Sequence, residues 1–258
     1  MSKLINRINR QTYVLKDKTN HYQSKLLKVS ETAALLKYQP AFTNRNILDL
    51  GVGTGRTTRY LYPLANSYLC CDYSPYMVAY MNEHFPDVKT LQVDMRDLTT
   101  IESSSIDFVL GASNVLDAVS HDDRLIVLSD VFRVLSTGGI FMFSSHNLGY
   151  KLSQTGPVLR YSKNPITQYY NFLSYVRSLI NYRRNRRFWV LEKDYSVFSD
   201  RGHDYSLLHY YINRKSQKSQ LHSTGFDLLE VFDENGKIAN DEDQSIESSS
   251  LLYVARRT

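Results

Sequence analysis

Short apolar runs bounded by polar turns recur through the first 150 residues, and between them apolar positions fall at helical spacing. The runs are Asn46–Leu50, Ser67–Cys71, Val88–Val93, Ile106–Gly111 and Ile140–Ser144. Runs this short, apolar almost throughout, read as strands buried on both faces. Tyr22, Leu26, Val29, Ala33 and Leu36 predict a helix over His21–Tyr38, ended by Pro40. A second is predicted over Thr54–Leu64, with Thr57 and Thr58 outward and Tyr60 and Leu61 inward. A third runs over Tyr76–His84, opened by Ser74 and Pro75 and broken at Pro86. A fourth, Asp122–Val134, is stopped by Thr137-Gly138-Gly139. Strand alternating with helix predicts an α/β fold, a parallel sheet with helices on both faces.

The alternation stops after Asn147. Residues 150–205 suggest two helices, one around Thr167–Tyr182 and ending in Arg183, Arg184, Arg186 and Arg187. Strand character resumes at His209–Ile212, a helix follows over Lys215–Thr224, and Phe226–Phe232 and Leu251–Ala255 close the chain as an antiparallel hairpin. The acidic, Ser-rich stretch Asn235–Ser250 reads as a loop between them. Residues 1–20 are polar and weakly periodic and read as an arm or lid.

Charge separates these two parts. Residues 151–215 hold 12 Lys/Arg against 4 Asp/Glu, whereas the rest of the chain holds 19 against 22, so the formal +5 comes from one Tyr- and Phe-rich segment. Such a segment points to an acidic or extended partner. No apolar run has the roughly 18–20 residues that span a bilayer. The basic first ten residues have no apolar run behind them, so no secretory leader is expected. Cys70 and Cys71 are adjacent in a strand-like run; read as buried free thiols, they point to a reducing, cytoplasmic setting.

The most telling chemistry follows the first strand. Ile47-Leu-Asp-Leu-Gly-Val-Gly-Thr-Gly-Arg56 runs from a buried strand into a turn with glycines at alternate positions. Gly51, Gly53 and Gly55 let the backbone approach a ligand closely, at the carboxyl end of a parallel strand where ligands bind. Asp49 either accepts from a ligand's amino group or orders the turn. Asp72, about 20 residues past the glycines, is placed to take both hydroxyls of a ribose, or to cap the next helix. A nucleotide-like cofactor is expected, and a dinucleotide dehydrogenase is one reading. Its fingerprint asks for glycine where this chain has Arg56, and the closing hairpin and the acidic step at Asp94 count against it.

Taken together, Asp49-Leu-Gly-Val-Gly-Thr-Gly55, Asp72, Asp94-Met95-Arg96 and Arg133-Val-Leu-Ser-Thr-Gly-Gly139 resemble the class I S-adenosylmethionine-dependent methyltransferases of small-molecule type, over residues 20–149 and 209–258. The resemblance implies a Rossmann-like seven-stranded sheet, mostly parallel, with a C-terminal antiparallel hairpin. Residues 1–149 and 206–258 would form the core with an N-terminal lid helix, and 150–205 a helical, substrate-covering insertion. It implies S-adenosylmethionine as cofactor, with Gly51, Gly53, Thr54, Gly55 and Arg56 in the binding turn. Asp94 would accept from the adenine amino group, Met95 stack on the ring, and Tyr73 and Met77 form the other wall. Asn114 would meet the methionine part, and Tyr22 would cover the cofactor. Arg96 is either a cofactor contact or the ion-pair partner of Asp97 or Glu102. His121 reads as a solvated turn residue.

Methyl transfer from a sulfonium needs mainly an aligned nucleophile and, for some acceptors, a base. His146, His203 and His209 are candidates for that base, and no metal is called for. The expected partner is a small-molecule methyl acceptor. A nucleic-acid methyltransferase using Arg183–Arg187 is the rival, against which stands the lack of an Asn/Asp-Pro-Pro-aromatic tetrad and of a cysteine nucleophile. A non-catalytic binding protein is the third reading, and the intact glycine and acidic set argues against it.

Overall fold

The computed structural model of the chain describes residues 2–13, 26–150, 155–239 and 247–258. Its sheet has ten strands: β1 Asn46–Leu50, β2 Ser67–Asp72, β3 Lys89–Gln92, β4 Ile106–Gly111, β5 Leu135–Asn147, β6 Val190–Leu191, β7 Tyr195–Phe198, β8 His209–Ile212, β9 Phe226–Phe232 and β10 Ser250–Arg257. Strands β3-β2-β1-β4-β5 lie side by side and parallel. β10 joins them antiparallel to β5, and β9 antiparallel to β10. These seven are the expected sheet with its closing hairpin. The central strands bury both faces: Ile47, Leu48, Leu50, Phe108, Val109 and Leu110 are all inaccessible, and they divide between two apolar layers.

The three further strands come from the insertion and its exit. β8 pairs parallel with only the end of β5, His146 opposite Tyr211 and Asn147 opposite Ile212. β10 occupies the other edge of β5 at the same level, Ser250 opposite His146. β8 therefore continues the edge that β4 leaves at Gly111, and β5 carries two neighbours in succession. β7 and β6 add antiparallel beyond β8. The insertion is thus not purely helical. It holds one long helix, Pro165–Arg186, capped by Asn164, whose side chain accepts from the Ile166 and Thr167 N–H groups. The second helix expected there is replaced by the β6–β7 hairpin, whose Val190, Tyr195 and Val197 suit a pleated surface.

Other expectations shift as well. Ser2–Tyr13, within the stretch read as an arm or lid, is a helix. Ile5 packs it on Val197, Leu208 and Ile212, and the Asn9 amide donates to the carbonyls of Ala118 and Leu208, both at 2.7 Å. The next helix starts at Val29, with Leu26–Lys28 outside it. Its expected beginning at His21, and Tyr22, lie outside the described residues. The helix after the glycine turn shrinks to Thr58–Leu61 plus a 3-10 turn at Tyr62–Leu64. Leu61 faces inward as expected, but Thr57 and Thr58 are also buried because their hydroxyls meet Asp49 and Tyr68, and Tyr60 is exposed. The helix His121–Val134 ends at Leu135, and Thr137-Gly138-Gly139 lies in an irregular start of β5 instead of closing the helix. His121 is no solvated turn residue, since its ring stacks on Tyr195 at 4.0 Å and its Nδ1 lies 2.9 Å from the Tyr210 hydroxyl.

Candidate functional site

A cleft opens at the carboxyl ends of β1, β2 and β4. Its wall is built by the turn from Gly51 to Thr57, by Asp72–Ser74 with Met77, by Val93 and Met95, and by Ala112–Val115. Of the residues expected to hold a cofactor, Asp49, Gly51, Gly53, Thr54, Arg56, Asp72, Tyr73, Met77, Met95 and Asn114 line it. Gly55 does not. A side chain there would run into the Phe85 ring and the Met81 sulfur, so Gly55 packs the turn onto the helix Pro75–His84. Gly51 likewise backs onto Val115. Gly53 is different: it has φ +57 and nothing within 4 Å of where a Cβ would stand. Its missing side chain is part of the open space, and its conformation is one that L-residues avoid.

The carboxylates divide by what already binds them. Asp49 is completely buried, and its Oδ2 accepts from the Thr57 hydroxyl at 2.5 Å and the Tyr68 hydroxyl at 2.6 Å. It orders the turn, as one of its two readings had it. Burial pushes its carboxyl up to about 6 against those two hydrogen bonds. The unfolded chain would titrate it near about 4. The folded state thus binds the proton more tightly, and this contribution to stability is complete below about pH 4 and lost as pH rises through about 6. Relative to the parent, Asp49→Asn is expected to gain about 2–3 kcal/mol between about pH 4 and about pH 7, read from urea unfolding at the two pH values.

Asp72 Oδ2 accepts from the Gly53 N–H at 3.0 Å, and Oδ1 from the Ser74 N–H at 2.9 Å. The carboxylate is thereby tied to the glycine turn on one side and to the next helix on the other. Burial raises its pKa, and these N–H groups oppose the rise. Each oxygen keeps a further acceptor site. Asp94 stands outside the cleft, in an adjoining groove with Tyr73, Met95, Arg96, Asn6, Asn9 and Arg10. There Arg96 grips it with two nitrogens, at 2.9 and 2.7 Å. Burial would raise the Asp94 carboxyl, but the Arg96 hydrogen bonds and charge outweigh it and hold it below its ordinary value. Arg96 thus pairs with Asp94, and more distantly with Asp123, instead of Asp97 or Glu102. Arg56 reaches out of the turn to Glu31 with both terminal nitrogens and to the Ser113 hydroxyl at 2.8 Å, which fastens the helix Val29–Lys37 to the cleft rim.

Ser113 and Ser74 are cleft residues that sequence reasoning missed. Ser113 and Asn114 both have positive φ, a sharp turn straight after β4. The Asn114 N–H donates to the Ser144 hydroxyl at 2.7 Å. The Asn114 Oδ1 and Ser74 Oγ atoms are buried with no hydrogen-bond partner among the described residues. Buried polar atoms without partners are uncommon and mark places where a ligand or water completes the bonding.

Ser144, which binds the Asn114 N–H, leads along β5 to a cluster of histidines and carboxylates whose members do not line the cleft. Ser144 and His146, two apart on β5, project from the same face. His146 Nδ1 lies 2.7 Å from Asp117 Oδ2, off the line of a ring N–H bond, and the ring stacks on His209 and Tyr211. His209 Nδ1 and the Tyr211 hydroxyl both meet Asp200 Oδ2 at 2.7 Å. Burial opposes the charge on both partners, but the Asp200–His209 attraction outweighs it, holding Asp200 well below and His209 above their ordinary ranges. Asp117 is anchored from behind by Arg124, which is itself wholly buried. His203 does not join this group. It lines a second, polar cleft between the helix Pro165–Arg186 and the turn Gly202–Tyr205, with Arg160 and Arg201. His203, Asp204 and Tyr205 all have positive φ, a strained run held by Ser174, Asn181 and Asn185.

Comparison with known proteins agrees with this architecture. Residues 47–139 match the family described as Methyltransferase domain. Malonyl-[acyl-carrier protein] O-methyltransferase of Pectobacterium atrosepticum is 30% identical over 112 residues, which is 43% of this chain and 42% of that protein. The match therefore spans less than half of that relative. An S-adenosylmethionine-dependent methyltransferase from Clostridium acetobutylicum has the same fold, with a TM-score of 0.61 at 16% identity over 89% of this chain and 91% of that one. So has the 1,6-didemethyltoxoflavin-N1-methyltransferase of Burkholderia thailandensis, solved with S-adenosylhomocysteine, with a TM-score of 0.64 at 12% identity over 100% and 91%. Among the described residues no helix is long and apolar enough to cross a membrane.

Proposed function

We propose that this chain, whose residues 47–139 match the Methyltransferase domain family and whose fold is shared with S-adenosylmethionine-dependent methyltransferases, transfers a methyl group from S-adenosylmethionine to an oxygen or nitrogen of a small molecule. The observation that carries this is the coupling of Asp72 to Gly53 in the wall of the cleft. That link sets an acceptor for ribose hydroxyls beside a stretch of backbone with no side chain in the way. Tyr73, Met77 and Met95 supply apolar walls for the adenine, and Asn114 and Ser74 bring unpartnered polar atoms for the rest of the cofactor. Asp94, gripped by Arg96, would act from the adjoining groove. S-adenosylmethionine, when bound, supplies an already activated methyl group. The protein's task is then to hold it and to admit an acceptor along the line of the carbon–sulfur bond.

The acceptor side belongs to the ends of β4 and β5 and to the insertion over 150–205, which would act as the cover. The relatives named above support an oxygen or nitrogen acceptor: one is a malonyl-[acyl-carrier protein] O-methyltransferase and one a 1,6-didemethyltoxoflavin-N1-methyltransferase. The buried free thiols Cys70 and Cys71 support a cytoplasmic setting. Calorimetry with S-adenosylhomocysteine tests the reading directly, and a native chain that takes up none would end it. Incubation with labelled S-adenosylmethionine and either total RNA or a small-metabolite fraction separates the acceptor classes. Label in the metabolite fraction is the expected result; label in RNA alone would transfer the function to nucleic acid.

A further inference from the structure

We propose that His146, Asp200 and His209 form a binding site for one divalent transition-metal ion of the Zn2+ or Fe2+ kind, where β8 meets the end of β5, the strand whose Ser144 binds the Asn114 N–H of the cleft. A role for the ion toward an acceptor rests on the function proposed above; the ion site itself does not. Three separate segments bring the donors together: the end of β5, the turn after β7 and the first residue of β8. One donor atom from each lies within 4.8 Å of the other two. Bonds of about 2.0–2.2 Å to such an ion set neighbouring donors roughly 3–3.5 Å apart. The Asp200–His209 pair, at 2.7 Å, is already near that spacing, and the His146 donor lies within 4.8 Å of both.

The donor types narrow the ion. Two imidazoles and one carboxylate suit Zn2+, Fe2+ and their neighbours, whereas Mg2+ and Ca2+ prefer oxygen throughout. Three protein donors leave further coordination positions for water or an acceptor. The surroundings are those that orient metal ligands. The Tyr211 hydroxyl donates to Asp200 Oδ2, the Gly202 N–H donates to Asp200 Oδ1 at 2.7 Å, and Asp117 stands against His146. Asp117 is in turn fixed by Arg124 and by the Ser145 hydroxyl. The His146 side chain is the most accessible of the three, 18% against 14% for Asp200 and 9% for His209, so it faces the way in.

The test loads chelator-treated full-length protein with Zn2+ or Co2+ by dialysis and counts metal per chain. Co2+ also reports through its visible absorption. About one ion per chain is expected, with His146→Ala and His209→Ala each weakening binding by about 100-fold or more and Asp117→Asn by about tenfold. A chain that takes up no ion overturns the proposal, and so does binding that both histidine variants leave unchanged. S-adenosylhomocysteine calorimetry on the same samples shows that the variants are folded. A parent chain that takes up the ion but no S-adenosylhomocysteine would sink the methyltransferase reading and leave the ion site standing; the reverse outcome would do the opposite.

Discussion

Arg124→Ala is expected to lower the unfolding free energy by about 3–5 kcal/mol, the cost of leaving a buried charge without its partner. Arg124 has no accessible surface. Its Nη1 donates to Asp117 Oδ1 at 2.6 Å, its Nη2 to the Gln217 Oε1 at 2.7 Å and to the Ser145 hydroxyl, and its Nε to the Gln220 Oε1 at 3.1 Å. The guanidinium carbon also lies 4.7 Å from the centre of the Tyr210 ring. Lysine has neither the fork nor the plane to replace these contacts, so Arg124→Lys is expected to lose most of the same free energy. Removing both charges together, as Arg124→Met with Asp117→Leu, is expected to recover much of the loss, because no ion is then left stranded. Urea titration of the four proteins measures each value. A double variant no better than the alanine variant would show that the Gln217 and Gln220 contacts matter more than the ion pair.

The second large effect falls on the cofactor. Asp72→Ala is expected to weaken S-adenosylhomocysteine binding by about 100-fold or more, since hydrogen bonds to a charged acceptor are worth about 1.5–3 kcal/mol each. The alanine also strips the Gly53 and Ser74 N–H groups of their acceptor, which loosens the turn. Asp72→Asn keeps the shape and one acceptor oxygen, and is expected to fall between. Calorimetry that found the alanine variant within about threefold of the parent would remove Asp72 from the binding site.

The parts of this molecule that were legible in the sequence are those governed by local rules. The strands Asn46–Leu50, Ser67–Asp72 and Ile106–Gly111 announce themselves because a doubly buried strand has an almost unbroken apolar run. Most of the cleft was legible for a related reason: glycines and acidic residues at strand ends mark a place where backbone meets ligand. What was hidden depends on partners far away in the chain. Thr57 and Thr58 look like surface residues until Asp49 and Tyr68 are placed beside them. Asp94 and Arg96 are two residues apart, yet only the fold shows that they bind each other on the side of the cleft. The Asp117–Arg124 pair gave no signal at all, since charged residues so close in sequence usually sit on a solvated face. Likewise, His146, Asp200 and His209 come from positions that no spacing rule connects.

The shared edge of β5 bears on how this protein can be recombined. Backbone pairing ties Tyr211 and Ile212 to the last two residues of β5, on the edge opposite β10. A transplant of residues 148–212 onto another scaffold must therefore find an overhanging strand end of the same length, or its first sheet contact is lost. The exchangeable module begins at His146, inside the core sheet, and a chimera cut at the loop after Asn147 would separate the histidine from Asp200 and His209, its partners in the proposed ion site.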